Sequence, residues 1–397
     1  MIQGWRIKKL SEICVSSNGL WKGKNPPFTT IAVLRSTNFT KDCKIKLDDV
    51  AYIEVEEKSF AKRKLQKNDI VVERSGGGPN QPVGRVLLFD IEDENYSFCN
   101  FTSALRVLDP TIVSPIYLHR YLTYFYLSGQ TINIQSNTIG LRNLDYTKYL
   151  DISIPVPPIA EQERIVEILD REFEKIDALK ANAERSLQQA KGLFQAALKQ
   201  ELQPKDGWVT IPMGNVCELK QGLAINAKTK YLLVKKSQLP LLRIKDLKDG
   251  TREIFVNESE CPQSCRAYPE DIIYTRTGTL GLVFTGAYGV MHNNCFKIEI
   301  DKEKIDKHYL MYYLQQDSFR SNIIKLASRA AQPDITHKLF KEQIIHFPAI
   351  AEQVAITRKL SDFREYCQAL EENYKKTIAL CDDMKQALLR QAFNGEL

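Results

Sequence analysis

The sequence has no long hydrophobic run and no cysteine framework. No stretch approaches the ~18 consecutive apolar residues that a membrane-spanning helix needs, and residues 1–6 lack the apolar core of a secretory signal. The nine cysteines are scattered and odd in number, so a disulfide scaffold is not expected. We therefore expect a cytoplasmic protein with reduced thiols.

Catalytic and metal-binding constellations are also scarce. The five histidines form no HExxH motif, and the chain has neither a GxxxxGK[ST] phosphate loop nor a GxSxG nucleophile elbow. Cys261 and Cys265 have no second Cys/His pair nearby, so we expect an ordinary loop there and not a zinc site. We predict no catalytic residue, no metal and no cofactor on this chain.

One short motif points the other way. Asn25-Pro26-Pro27-Phe28 is similar to the motif with which DNA adenine methyltransferases hold a flipped base. Only 24 residues precede it, which leaves no room there for the glycine-rich strand–turn–helix that binds S-adenosylmethionine. We interpret the motif as a proline-bearing loop and keep an adenine methyltransferase as an alternative.

What the sequence does contain is an internal repeat. Six motifs of the first half return in the same order in the second half, about 191–208 residues later. Asp69-Ile70-Val71 with Arg74 and Gly76 returns as Asp271-Ile272-Ile273 with Arg276 and Gly278, and Pro157-Pro158-Ile159-Ala160-Glu161-Gln162 returns as Pro348-Ala349-Ile350-Ala351-Glu352-Gln353. Six matches in one order indicate a duplicated module and not a solenoid of short repeats.

Each copy predicts a module of mixed helices and strands followed by one long helix. Short β-branched runs indicate strands, and apolar spacing predicts helices over residues 116–127 and 307–315. The predicted fold class is α/β (α+β), with two globular domains separated by two long antiparallel coiled-coil helices in a pseudo-two-fold internal repeat. The predicted boundaries are 1–157 and 204–347 for the modules and 158–203 and 348–397 for the helices.

The long helices are predicted from apolar residues that recur every three or four positions. The first face is Ile165, Leu169, Phe173, Ile176, Leu179, Ala183, Leu187, Ala190 and Phe194. The second alternates strictly by four and three, the period of a coiled-coil seam: Ile356, Leu360, Phe363, Cys367, Leu370, Tyr374, Thr377, Cys381, Met384 and Leu388. Prolines 157, 158 and 348 mark where the helices begin, and Pro204 ends the first.

Charge and side-chain chemistry favour a polyanionic partner. Both modules carry an excess of Lys and Arg, and both helices a slight excess of acid. Amide and basic side chains suited to base or phosphate contacts cluster in loop-like segments. The candidate DNA-binding residues are Trp21, Lys22, Lys24, Arg35, Asn38, Arg74, Ser75, Asn80, Asn137, Arg142, Asn143, Arg243, Lys245, Arg276, Thr277, Arg329 and Gln332.

Arg74 and Arg276 occupy matching places in the repeat, beside Gly76 and Gly278. These glycines would suit backbone positions with positive φ. The arginines would read base edges or phosphates, or would instead form structural ion pairs with Asp69 and Asp271; the sequence leaves both roles open.

These duplicated motifs, together with the Trp21-Lys22-Gly23 segment, resemble the specificity (S) subunit of type I restriction–modification systems over essentially the whole chain. The resemblance implies two target-recognition domains that each read one half of a bipartite double-stranded DNA site, made asymmetric here because the modules differ. It implies helices that set the spacer and dock two methyltransferase (M) subunits, with restriction (R) subunits joining through these.

The resemblance also places the chemistry on other chains: S-adenosylmethionine on M, and ATP and Mg²⁺ on R. Partner-binding residues would be Ile159, Glu161, Gln162, Val166, Ile350, Glu352 and Gln353. A non-catalytic adaptor that binds RNA or protein through the basic modules is the other alternative to a DNA specificity subunit.

Overall fold

The computed structural model describes residues 4–78, 81–93, 95–138, 141–329 and 332–397. The chain divides into two compact units, unit 1 with Met1–Ala183 and Lys376–Leu397, and unit 2 with Glu184–Lys375. Among the described residues, no helix is both long enough and apolar enough to cross a membrane.

Unit 1 combines small antiparallel and mixed sheets with short helices. Its strands are β1 (Arg6–Lys9), β2 (Cys14–Asn18), β3 (Phe28–Leu34), β4 (Ala51–Glu56), β5 (Ile70–Glu73), β6 (Ser75–Gly77), β7 (Val86–Leu88), β8 (Tyr96–Phe98), β9 (Thr102–Val107), β10 (Gln135–Thr138), β11 (Leu141–Leu144) and β12 (Ser153–Val156). Its helices are α1 (Leu10–Ile13), α2 (Glu57–Arg63), α3 (Pro115–Leu127) and α4 (Tyr146–Leu150), and the long α5 (Ile159–Glu201) begins in this unit and ends in unit 2.

Unit 2 is built in the same way. Its strands are β13 (Val209–Pro212), β14 (Cys217–Gln221), β15 (Leu233–Val234), β16 (Leu241–Leu242), β17 (Phe255–Val256), β18 (Arg266–Ala267), β19 (Ile272–Thr275), β20 (Val283–Phe284), β21 (Gly289–Met291), β22 (Cys295–Ile300) and β23 (Ile344–Phe347). Its helices are α6 (Ile244–Asp249), α7 (Lys307–Leu314), α8 (Asp317–Ala327) and α9 (His337–Lys341), and the long α10 (Ile350–Asn394) begins in this unit and ends in unit 1.

Sheet order confirms the internal repeat. An antiparallel sheet of order β2-β9-β5-β7 in unit 1 matches β14-β22-β19-β20 in unit 2. The pair β1-β12 matches β13-β23, and the parallel pair β3-β8 matches β16-β21. The predicted class of mixed helices and strands in a duplicated module with two long helices is therefore confirmed.

The helices α3 and α7 show why the repeated tyrosines recur. Ser114 caps α3 and Asp306 caps α7, each by accepting from a backbone N–H in the first turn. The Tyr117 hydroxyl donates to the carbonyl of Pro155 in β12 at 2.8 Å, and the Tyr309 hydroxyl donates to the carbonyl of His346 in β23 at 2.8 Å. Each helix is thus fixed to the strand that precedes the long helix.

The long helices run antiparallel within each unit. In unit 1, the Arg164 guanidinium donates to the Leu397 carbonyl, Asp177 pairs with Lys385, and Lys180 pairs with Asp382, so numbers rise on α5 as they fall on α10. In unit 2, Glu201 of α5 pairs with Lys359 near the start of α10. Helix α5 begins directly after Pro158 and ends before Pro204 as expected, and α10 begins two residues after Pro348.

The buried face of each helix follows the predicted period with two exceptions. Leu179 is 48% exposed on α5 and Met384 is 41% exposed on α10. Cys381 and Leu389 are buried on α10, and Lys385 between them pairs with Asp177. Because the buried row on α10 steps by four at this point, Met384 turns outward and its predicted place in the seam is wrong.

A glycine fixes the chain where β2 and β14 end. A Cβ on Gly19 would lie 1.8 Å from the carbonyl oxygen of Cys99, and one on Gly222 would lie 2.3 Å from that of His292. Both distances are too short for any side chain. The next contact along the chain is a parallel bridge in both units, from Leu20 to Cys99 and from Leu223 to His292.

Candidate nucleic-acid interface

Arg74 lies directly after β5 in unit 1, and both its backbone and its side chain have partners. Its backbone N–H donates to the Phe101 carbonyl at 2.8 Å, and its Nη1 donates to Asn18 Oδ1 at 2.6 Å. The guanidinium carbon lies 4.3 Å from the ring centre of Tyr146. A cation over an aromatic ring at this distance is attracted to the ring face, which helps to hold the arginine in place without neutralising its charge.

Arg276 occupies the same place in unit 2 with a different surrounding. Its backbone N–H donates to the Asn294 carbonyl at 2.8 Å, and its Nη1 donates to Gln221 Oε1 at 2.7 Å. Its Nε and Nη2 donate to the two carboxylate oxygens of Asp334. Both units therefore repeat the hydrogen bond from the arginine to a side-chain amide. They differ in the second partner of the guanidinium, which is the Tyr146 ring in unit 1 and the Asp334 carboxylate in unit 2.

The aspartates expected to pair with these arginines have other partners. Asp69 accepts two hydrogen bonds from Arg106 on β9, both at 2.7 Å, and Asp271 lies 3.4 Å from Lys297 on β22. The proposed Arg74–Asp69 and Arg276–Asp271 pairs are wrong, because each aspartate faces the basic residue of the neighbouring strand. Arg276 is in an ion pair nonetheless, with Asp334.

The three-stranded sheet β10-β11-β6 brings several predicted residues of unit 1 together. Ser75 lies opposite Asn143 in the β6–β11 pairing, and their side chains are hydrogen-bonded. Arg142 lies opposite both Gly77 and Asn137. Gly76 has a φ of 103° and Gly278 a φ of 74°, which confirms the predicted conformations. Asn80 lies outside the described residues.

Asn38 is a correction to the predicted DNA contacts. Its side chain is buried, accepts from the Arg35 backbone N–H, and donates to the carbonyls of Lys46 and Asp49. It therefore shapes the loop and has no surface to offer a ligand. Arg35 itself pairs with Asp49 at 2.9 Å and remains partly exposed.

The segment from Trp21 to Lys24 is a surface turn fastened to β4. Trp21 is 71% exposed, and Lys22 lies 3.7 Å from Glu54. The backbone N–H groups of Lys24 and Asn25 donate to Glu56 Oε1 at 2.7 and 2.8 Å. These donors lower the pKa of the Glu56 carboxyl. The Asn25–Phe28 motif thus belongs to this turn and to the start of β3.

Two predicted cations of unit 2 are already neutralised. Arg243 donates to both oxygens of Asp246 and to Glu253, and Lys245 lies 3.1 Å from Glu253. Burial alone would raise the pKa of Asp246, but the hydrogen bonds from Arg243 and Thr251 outweigh it and lower that pKa to about 2. Arg243 therefore serves the capping of α6.

The remaining candidates of unit 2 lie at its surface. Thr277 is half-buried beside Arg276, and Arg329 and Gln332 are exposed. Gln332 stands two residues before Asp334, the partner of Arg276, so this segment lies beside the central arginine. Five exposed residues in the connection after β14 were not predicted from the sequence: Lys228, Lys230, Tyr231, Lys235 and Lys236. The pattern that could have identified them is the presence of four lysines within nine residues.

Gln162 and Gln353 are a correction to the predicted partner contacts. Both side chains are completely buried. The Gln162 amide accepts from the Ser114 N–H at 2.9 Å and donates to the carbonyls of Ile112 and Pro157. Gln353 repeats this with the Asp306 N–H and the carbonyls of Lys304 and Pro348. The two amides connect the first turn of each long helix to the module before it, and both are too buried to contact a partner protein.

The other predicted partner contacts remain at least partly accessible. Ile159, Val166 and Ile350 are half-buried, and Val166 packs against the core of unit 1. Glu161 is paired with Arg164 at 2.7 Å, and Glu352 is exposed. Larger apolar side chains that the sequence analysis had not singled out as partner contacts are exposed along the long helices: Leu179, Leu380 and Met384 in unit 1 and Leu193, Val354 and Tyr366 in unit 2.

Cys261 and Cys265 lie in an apolar cluster with Leu232, Leu239 and Val256. Both thiols have raised pKa values because they are buried. Among the residues that the structure describes, no group of His, Cys, Asp and Glu could hold a metal ion.

Comparison with known proteins identifies relatives over the full length. The family model of the type I restriction modification DNA specificity domain matches residues 2–189 and again 205–380. The specificity subunit of the type I restriction enzyme EcoKI from Escherichia coli K12 is 24% identical, covering all of this chain and 89% of that protein. The StySPI specificity subunit from Salmonella potsdam is 23% identical, with the same coverage.

Solved structures share the fold. A chain from a study of complex assembly and conformational transition in the type I R-M system superposes with a TM-score of 0.81 at 19% identity, covering all of this chain and 99% of that one. The HsdS subunit from Thermoanaerobacter tengcongensis superposes with a TM-score of 0.62 at 19% identity, covering all of this chain and 98% of that one.

Proposed function

The chain belongs to the type I restriction-modification DNA specificity family, and from this membership we propose that each of its two units reads one half of a bipartite duplex DNA site. It is the subunit that supplies DNA sequence specificity within a restriction–modification complex. Matches of the family model to both halves of the chain support one recognition module in each unit.

The observation that carries the proposal is a site built twice with different surroundings. Arg74 and Arg276 follow equivalent strands and bind an equivalent amide, Asn18 and Gln221. Around this shared frame, unit 1 presents the β10–β11 strands and unit 2 presents the segment with Gln332 and Asp334. Different side chains on one frame support different half-sites, and hence an asymmetric target.

We further propose that the chain carries no catalytic group of its own. Methyl transfer to adenine would be performed by two methyltransferase subunits with S-adenosylmethionine, and cleavage by restriction subunits with ATP and Mg²⁺. The methyltransferase subunits would dock on the apolar side chains exposed along α5 and α10. The same helices would set the number of base pairs between the half-sites.

Methylation mapping tests the proposal directly. The chain is expressed with its methyltransferase partner in cells that lack other adenine methylation, and modified adenines are sequenced. We expect two short specified blocks of different sequence separated by unspecified base pairs. A continuous site, or methylation independent of this chain, would contradict the proposal.

A second measurement addresses the methyltransferase alternative. The isolated chain is titrated with S-adenosylmethionine, with the methyltransferase partner as the positive control. We expect binding by the partner alone. Binding by this chain would return the Asn25–Phe28 motif to consideration as a catalytic element.

A further inference from the structure

The connection that follows β14 in unit 2 is longer and more basic than its counterpart in unit 1. In unit 1, residues 21–27 join the Leu20 bridge to β3. In unit 2, residues 224–240 join the Leu223 bridge to β16 and include β15. Both connections leave the sheet at the same point, so they are equivalent in the repeat.

The longer connection has a fixed base. Leu232 is buried in an apolar cluster with Leu239 and Val256, and β15 pairs with β17. Its first turn is closed by the Thr229 hydroxyl, which accepts from the Asn226 N–H at 3.0 Å. The exposed side chains on this connection are therefore presented from a defined backbone.

Four of those side chains are lysines, at positions 228, 230, 235 and 236, and Tyr231 between them is 68% exposed. We call residues 228–236 the basic arm. None of the four ammonium groups forms an ion pair with any residue that the structure describes. In this respect they differ from Arg243 and Lys245 of the same unit, which acidic side chains neutralise.

The connection that carries the basic arm begins near the central arginine of unit 2. Gln221, at the end of β14, accepts a hydrogen bond from Arg276 and stands three residues before the connection begins. A ligand that reaches Arg276 would therefore pass close to the start of this connection. Lysine ammonium groups on flexible stems act as point charges and suit phosphate oxygens better than the fixed pattern of base edges.

We propose that the basic arm binds the sugar-phosphate backbone of duplex DNA beside the half-site that unit 2 reads. This inference rests on the proposed DNA specificity function and adds a contact that is independent of base sequence. Its lysines replace counterions on the phosphates, and the Tyr231 hydroxyl donates to a phosphate oxygen.

Salt dependence of DNA binding tests the proposal. The full chain, assembled with its methyltransferase subunits, is titrated with its methylated site and with a random duplex over a series of salt concentrations. The variant carries Lys228→Gln, Lys230→Gln, Lys235→Gln and Lys236→Gln. Each phosphate contact contributes about 0.9 to the slope of log K against log salt, so we expect a slope shallower by about 3 to 4.

The variant should also leave sequence discrimination unchanged. Affinity for the specific and the random duplex should fall by the same factor, because phosphates are present in both. The matched control is Lys302→Gln, another exposed lysine, at the opposite end of β22 from Arg276. It should keep the parental slope, whereas the single variant Lys230→Gln should lower the slope by about 0.9.

The results of this experiment distinguish a failure of the basic-arm proposal from a failure of the proposed specificity function. If the parental complex distinguishes its site from random duplex and the four-lysine variant keeps the full slope, the arm does not bind phosphates. If the parental complex fails to distinguish the duplexes, the specificity function itself is wrong. A fall confined to the specific duplex would assign base reading to the arm, and loss of methyltransferase association would assign it a protein partner; either result overturns the proposal.

Discussion

Arg276 and Asp334 form a two-point ion pair in which Nε donates to Oδ1 at 2.8 Å and Nη2 donates to Oδ2. Arg74, at the equivalent place, has no such carboxylate among the described residues, and its guanidinium lies over the Tyr146 ring instead. The charge of Arg276 is compensated by a carboxylate of its own unit, whereas the charge of Arg74 has no carboxylate partner among the described residues. The two central arginines therefore occupy equivalent positions in the repeat but differ in the charge that they offer to a ligand.

The arginines should serve separate half-sites. Arg74→Ala should weaken recognition of one half by ~1–3 kcal/mol if the guanidinium reads a base edge, and Arg276→Ala should affect the other half. Arg74→Lys is the matched variant, because it keeps the charge and removes the two-point fork. Binding to duplexes mutated in one half at a time gives the measurement; equal weakening for every sequence, with rescue by lysine, would indicate a phosphate contact.

The two buried glutamines should be structural. Gln162→Ala removes three hydrogen bonds and leaves the half-buried Ser114 N–H without its partner, which should cost about 2–4 kcal/mol. Gln353→Ala should behave alike. Thermal and urea unfolding provide the measurement, with the exposed Glu163→Ala as control. Unchanged unfolding with lost methyltransferase association would restore the docking role that burial argues against.

Acid should destabilise unit 1 through His119. Burial, with the nearby Arg120 charge, lowers the pKa of His119 from 6.5 to about 3, and its Nε2 has no hydrogen-bond partner among the described residues. The unfolded chain takes up the proton as pH falls below ~6.5 and the folded chain does not, so stability is lost between about pH 6.5 and 3. The slope should approach ~1.4 kcal/mol per pH unit.

The pH test uses a matched pair of histidines. His119→Leu should flatten the dependence of the unfolding midpoint on pH below 6.5. His308→Leu, at an exposed position, should retain the parental dependence. A parental slope in the His119 variant would mean that other groups cause the acid sensitivity.

Apolar side chains on α10 should bind the methyltransferase subunit. Leu380 is 57% exposed and lies one turn from the exposed Met384. Leu380→Asp would place a charge in the contact and should abolish co-purification of the methyltransferase while the chain stays folded. Lys375→Asp, an exposed polar position on the same helix, is the control. Full association of the Leu380 variant would reject this surface.

Helix length should set the spacer. Four residues inserted between Ala183 and Glu184 of α5, with four between Lys375 and Lys376 of α10, would lengthen each helix by about 6 Å with about 40° of net rotation. One base pair adds about 3.4 Å and roughly 35°. Methylation mapping should find the same half-sites with a spacer longer by one or two base pairs. An active variant with the parental spacer would refute the ruler.

Periodic and repeated features were predictable from the sequence. The apolar rows on both long helices, the prolines before them and the positive φ of Gly76 and Gly278 follow from local rules. The tyrosines of α3 and α7 recur because each donates a hydrogen bond to the equivalent strand of its own unit, β12 in unit 1 and β23 in unit 2. Such features need only neighbouring residues or a second copy to be recognised.

Pairings across the fold were not predictable. Asp69 is five residues from Arg74 in sequence, but its partner Arg106 lies on the adjacent strand β9. Asn38 and Gln162 read as surface amides, yet each satisfies backbone groups of distant segments and is therefore buried. Their partners are fixed by tertiary packing, which single-sequence periodicity does not contain.

The close approach of Gly19 to Cys99 and of Gly222 to His292 has an evolutionary consequence. Each glycine fixes the end of its strand, and the connection that leaves at that point is short in unit 1 and long in unit 2. Residues can therefore be gained or lost beyond the glycine without shifting Asn18, Gln221 or the arginines bound to them. A module can therefore change the length and charge of this one connection, and with them its grip on the DNA backbone, while its sheet stays unchanged.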